Sequence, residues 1–144
     1  MDLGNPDLAA DTAACWVVKD ELVAVEFAPA TGELRSAVGI NRYEAGDALI
    51  TGSTGDRWCV SRGRFDAKYR PESPTRSGQP GSYRNLPAPI RAKQMPAAFS
   101  VARSAGGDVL RGAAGDWLVQ YAPGDYGVVA RARFDRVYRV TAGR

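Results

Sequence analysis

No histidine occurs anywhere in these 144 residues. That removes the commonest general base, the usual imidazole ligand of zinc, and every Ser-His or Cys-His arrangement. Cysteine is nearly as scarce: Cys15 and Cys59 stand alone and make no disulfide framework. No apolar run approaches the roughly 18 residues that a membrane-spanning helix needs. The opening stretch, MDLGNPDLAADTAACWVVKD, carries Asp2, Asp7 and Asp11 before any basic residue and lacks the apolar centre of a signal peptide. These absences lead to the expectation of a cytoplasmic protein with no membrane, metal or cofactor partner, and no enzyme built on a familiar triad.

The remaining composition is globular. At 44% hydrophobic and 24% charged residues, the chain is too apolar to be wholly disordered. Sixteen Gly and nine Pro point to many turns and short strands rather than long helices. The formal charge of +3 is mild, but sixteen of the nineteen basic residues are Arg. Arginine makes the better planar, bidentate contact to carboxylate or phosphate.

The chain also writes one stretch twice. GDALITGSTGDRWCVSRGRFDAKYRP (46–71) lies over GDWLVQYAPGDYGVVARARFDRVYRV (115–140) at a constant offset of 69 residues. Gly46, Asp47, Leu49, Gly55, Asp56, Val60, Arg62, Arg64, Phe65, Asp66, Tyr69 and Arg70 all meet their own kind, which marks an internal repeat. Upstream, VAVEF (23–27) falls over RAKQM (91–95) with a one-residue slip. We read residues 1–15 as a flexible N-terminal segment, 16–71 as the first repeat, 72–88 as a linker rich in Pro, Ser and Gly, and 89–144 as the second repeat. A copy of about 50 residues buries too little apolar surface to stand alone, so the copies are expected to pack as one pseudo-two-fold domain.

Within each copy, ELVAVEF and AFSVAR alternate apolar and polar residues as half-buried strands do. DALIT with DRWCV, and DWLVQ with DYGVV, are short apolar runs bounded by Gly turns. SRGRFDAKY and ARARFDRVY set Phe and Tyr four apart, as on a helix of one or two turns. The fold class is therefore β-rich α+β, as a small barrel or sandwich.

Ala122-Pro123-Gly124-Asp125 has Pro and Gly where a type II turn wants them. Asp47 and Asp56, and likewise Asp116 and Asp125, open successive hairpin strands. They lie about 13 to 16 Å apart, beyond the roughly 10 Å within which glycosidase carboxylates cooperate. Cys59 falls opposite Val128 and reads as a buried apolar residue. The doubled R-x-R-F-D-x-x-Y-R suggests two readings. One is a surface helix with i,i+4 pairs Arg62–Asp66 and Arg131–Asp135. The other is a paired anion site of Arg62, Arg64, Arg131 and Arg133. Positions that differ between copies are candidates for specificity: Arg57-Trp58 against Tyr126-Gly127, Ala48 against Trp117, Thr51-Gly52 against Gln120-Tyr121.

AGDWLVQYAPGDYGVVARARFDRVYR resembles the bacterial family named for its PGDYG motif, here Pro123 to Gly127. The first copy is similar to the ends of short phage and bacterial proteins with a G-D hairpin and an F-x-x-x-Y ending. The resemblance covers about two-thirds of the chain and implies no reaction and no catalytic residue. It implies that Gly124, Asp125 and Tyr126 belong to a recurring module, from which the first copy departs at Thr54, Arg57 and Trp58.

The expected function is a non-enzymatic binding module for a protein or a small anionic ligand in the crevice between repeats. Its candidate contacts are Arg62, Arg131, Arg64, Arg133, Arg57, Trp58, Asp125, Tyr126, Trp117 and Tyr121. Single-stranded nucleic-acid binding is the alternative, since bases stack on aromatics beside Arg. A histidine-independent enzyme acting on a nucleotide or sugar-phosphate is the second alternative.

Overall fold

The computed structural model describes residues 1–36, 39–103 and 107–142. After a 3₁₀ turn at Leu8–Ala10, strand β1 (Cys15–Lys19) leads to β2 (Leu22–Phe27). A small hairpin of β3 (Gly32–Ser36) and β4 (Gly39–Tyr43) is followed by a second, β5 (Ala48–Thr51) and β6 (Arg57–Val60). Helix α1 (Arg62–Lys68) and β7 (Tyr69–Pro71) come next. The same series then returns. It runs through β8 (Gly81–Asn85), β9 (Ile90–Gln94), β10 (Phe99–Ala102), β11 (Val109–Gly112), β12 (Trp117–Ala122) and β13 (Asp125–Val129) to α2 (Arg131–Val137) and β14 (Tyr138–Thr141).

The chain divides into two compact units. One comprises Met1–Lys19, Ala37–Gly39 and Ala88–Arg144; the other comprises Asp20–Ser36 and Ile40–Pro87. We call them the terminal and the central unit. The central unit holds a five-stranded antiparallel sheet in the order β6-β5-β2-β8-β7, and the terminal unit one in the order β13-β12-β9-β1-β14. Each five-stranded sheet is open, with two edge strands, so the expected barrel does not close among the described residues.

The pairing registers of the two sheets agree position by position. Ala48 faces Val60 as Trp117 faces Val129, and Ala24 faces Thr51 as Arg91 faces Gln120. Ala24 faces Ser82 as Arg91 faces Trp16, and Tyr69 faces Asn85 as Tyr138 faces Lys19. VAVEF (23–27) thus corresponds to IRAKQ (90–94), one residue earlier than the sequence alignment placed it. The reason is the pleat: Val23 and Val25 point into the core, and only that register sends Ala92 the same way.

Each sheet packs one face on its helix. In the central unit Val23, Val25, Ala48, Ile50 and Tyr83 meet Phe65 and Tyr69. In the terminal unit Val17, Ala92, Val119 and Val129 meet Phe134. Both helices are seven residues long and lack a side-chain N-cap bond, so this packing rather than local propensity holds them.

Two segments expected to be loose are folded. Within 72–88, β8 lies between β2 and β7; Tyr83 is buried and its hydroxyl donates to the carbonyl oxygens of Gln79 (2.7 Å) and Arg76 (3.1 Å). Five residues of alternating burial, GSYRN, suffice for a strand inside a stretch whose composition reads as linker. Within 1–15, Leu8 is buried, and the Leu3 N–H donates to the Ser100 carbonyl at 3.0 Å. Strand β1, counted with the first repeat, pairs with β9 and β14 of the second. No helix among the described residues is long and apolar enough to cross a membrane.

Candidate functional site

The repeated G-D pairs are turn chemistry. Gly46 and Gly115 take φ of +89° and +92°, a left-handed backbone that favours glycine. The carboxylate that follows closes each turn: Asp47 Oδ2 accepts the Glu44 N–H, and Asp116 Oδ2 accepts the Ala113 N–H, both at 2.9 Å. Asp116 Oδ1 also accepts the Arg131 N–H at 3.0 Å, tying the turn to the start of α2. Asp47 and Asp56 stand at opposite ends of the β5–β6 hairpin, as expected from their spacing.

The PGDYG motif resolves letter by letter. Pro123 and Gly124 form the two-residue turn between the paired Ala122 and Asp125, with Gly124 at φ +75°. Asp125 opens β13. Tyr126 is buried, and its hydroxyl donates to Asn5 Oδ1 at 2.8 Å and to the Pro6 carbonyl. Burial, and then the charge of Asp7, push the Tyr126 phenol above its usual range, so it stays a donor. Gly127 leaves room: a Cβ there would lie 2.8 Å from the Tyr121 hydroxyl and 3.1 Å from Val119. Tyr126 is therefore an anchor for the N-terminal segment.

That segment covers the sheet face turned away from α2. Leu8 joins Leu118, Tyr126, Met95, Phe99, Val101 and Leu110 in a second cluster. The Leu8 N–H donates to Gln120 Oε1 at 2.8 Å, and Lys93 Nζ reaches Asp11 Oδ2 at 2.8 Å. The Lys93 bond, with the Ala13 N–H, holds the Asp11 carboxyl below its ordinary value.

Beside the PGDYG turn the covered face leaves a shallow hollow of about 200 Å³, lined by Asp7, Trp16, Arg91, Gln120, Tyr121 and Pro123 among others. The Arg91 guanidinium lies 4.2 Å over the Trp16 ring, and Tyr121 is 45% exposed. The Arg91–Trp16 pair was not foreseen; Tyr121 borders the hollow, but its hydroxyl lies by Gly127 and Val119 on the helix side of the sheet. Trp16 and Arg91 become neighbours only because β1 pairs with β9.

The other sequence candidates distribute differently. Trp117 turns to the helix face and stacks on Phe134, centroids 3.8 Å apart; Phe134 in turn stacks on Tyr138 at 4.9 Å. Trp58 packs half-buried against the central core, whereas Arg57 is exposed on the opposite face. Arg62 makes the i,i+4 pair with Asp66 at 3.1 Å and lies 4.4 Å over the Phe27 ring. Arg64 and Arg131 are exposed on their helices, while Arg133 is buried. Asp125 is half-buried at the turn. Cys59 is buried and its thiol donates to the Arg42 carbonyl; burial raises the pKa of the Cys15 thiol, which makes it a weak nucleophile.

No curated protein and no solved structure matches the chain. A family model described as PGDYG protein matches residues 39–139, from the start of β4 to the middle of β14. With that match over most of its length and the motif itself at Pro123 to Gly127, the chain belongs to the PGDYG protein family.

Proposed function

We propose that this protein is a non-enzymatic binding module of the cytoplasm, built by tandem duplication. The matched strand order and pairing registers support the duplication. The thiols of Cys15 and Cys59 suit a reducing compartment.

One observation carries the binding reading: the Arg91 guanidinium stacked on Trp16 near Pro123, in a hollow at the family's own turn. Aromatic rings and arginine at an open concavity supply contact area with little entropy to lose, and a cation–π pair presents charge to an anion. The ligand class is a small anion carrying a flat or apolar part. Single-stranded nucleic acid is the second reading, favoured by the same Trp16 ring beside Arg91, on which a base would stack.

A thermal-shift screen of the intact protein against nucleotides, sugar-phosphates and short oligonucleotides, at low and moderate salt, tests this. A fitted ligand at a hundredfold excess over Kd stabilises by about 2.7 kcal/mol. The shift should vanish in Arg91→Ala and Trp16→Ala. A shift indifferent to both substitutions, or a flat response across the panel, would remove this site. A response confined to oligonucleotides, with affinity falling steeply with salt, would select the second reading.

A further inference from the structure

We infer that the outer face of the central sheet is a docking surface for an extended peptide segment of a partner protein. The inference does not depend on the hollow beside Trp16. It rests on what the corresponding face of the terminal sheet already holds. There, the segment around Leu3 to Asp11 lies on β12, β13 and β9, with Leu8 on Leu118, the Asn5 side chain on Tyr126, and Asp11 on Lys93.

In the central sheet the matching positions are Leu49 for Leu118, Arg57 for Tyr126, Glu26 for Lys93 and Thr51 for Gln120. Leu118 is buried, whereas Leu49 is only half-buried, and Ala24, Glu26 and Arg57 are exposed. Together with Thr51, Pro80 and Ser82 they line an open hollow of about 390 Å³. Leu22, on the same side of β2 as Ala24 and Glu26, is also 42% exposed. The face thus has the geometry that takes a peptide in the terminal unit, with no such segment lying on it among the described residues.

Charge identifies the occupant. Glu26 stands where Lys93 receives Asp11, so the segment must bring a basic residue there. Arg57 stands where Tyr126 meets Asn5 and Pro6, so a carboxylate belongs opposite it. The chain's own N-terminal segment fails this test, because Asp11 would meet Glu26. A second copy is therefore the wrong occupant, and a partner segment with an apolar anchor between a carboxylate and a lysine or arginine is the right one. Backbone and apolar contacts give such a segment its affinity, and the charges at its ends give its register.

The probe is a labelled peptide patterned on residues 3–11 with two changes, LGDPDLAAK, compared with the unaltered LGNPDLAAD. Fluorescence anisotropy with the full-length protein should show saturable binding of the first and at least fivefold weaker binding of the second. Glu26→Lys and Arg57→Ala, both at exposed positions that leave the fold intact, should each weaken LGDPDLAAK about fivefold, as for one partly shielded ion pair. Glu26→Lys should also shift preference toward LGNPDLAAD. Amide shifts on titration should fall on β2, β5 and β6. Equal affinity for both peptides, indifference to both substitutions, shifts confined to β9, β12 and β13, or no binding up to about 1 mM, a Kd equivalent to only about 4 kcal/mol, would each overturn the inference.

Discussion

The two five-stranded sheets share strand order and pairing register, yet one is packed on both faces, whereas the outer face of the other is closed by β4 at Cys59 and keeps an open hollow beside it. On the helix side they reach the same result with different residues. The terminal unit uses Trp117 with Val17, stacked on Phe134. The central unit uses Ala48 with Tyr83, whose ring meets Phe65 edge-on at 4.8 Å. The large side chain lies two strands further across the sheet, and core volume is conserved in kind, as interiors tolerate. Differences between the two units therefore have two meanings. Ala48 against Trp117 is compensated inside the core, whereas Arg57 against Tyr126 changes what the outer face can hold.

Substitutions can break this comparison. The largest effects belong to the shared helix contact: Phe65→Ala and Phe134→Ala should each cost about 3–5 kcal/mol. Hydrogen exchange should assign each loss to its own unit, and a clear inequality would show that the helices are not equivalently packed. Next comes the covered face. Leu118→Ala should cost about 2–4 kcal/mol, and Leu49→Ala about 1 or less, because only the first empties a closed core. Urea denaturation decides; equal costs would mean that the central face is closed in solution.

Smaller still, Tyr126→Phe should lose about 1 kcal/mol with its hydroxyl bonds to the N-terminal segment, while Arg57→Ala should stay within about 0.5. Protection of the Leu8 amide reads the former directly. The last effect is one of pH. Asp11 titrates below its ordinary 3.8 in the folded chain, so its contribution is present above that value and is lost as pH falls through the lowered one. Asp11→Asn should flatten the acid fall in Tm between about pH 5 and pH 2, and an unchanged fall would remove Lys93–Asp11 as an anchor of the segment.

Much of the local structure was legible. The G-D and P-G turns, the two hairpins around them and the Phe/Tyr helices follow from nearest-neighbour chemistry, and each lies where its residues suggest. What lay hidden is non-local. GSYRN reads as linker until β2 and β7 flank it, and CWVVK gives no sign that its partners lie seventy and more residues away. The Trp16–Arg91 pair depends on that second pairing and could not be seen without it. Tyr126 and Tyr121 illustrate the same limit: five residues apart, one is sealed under the N-terminal segment and the other lies 45% exposed by Gly127 and Val119.

The placement of β1 also sets a timetable for biosynthesis. The central sheet draws all its strands from residues 22–85, so it can assemble as soon as that stretch has left the ribosome. The terminal sheet needs residues 15–19 between 90–94 and 138–141, and loop closure over that span comes last. Until then the apolar row Cys15-Trp16-Val17-Val18 is a made strand without partners, exposed beside a finished neighbour. The nascent chain is most vulnerable to association in that interval, and β1 is among the last of these strands to be used.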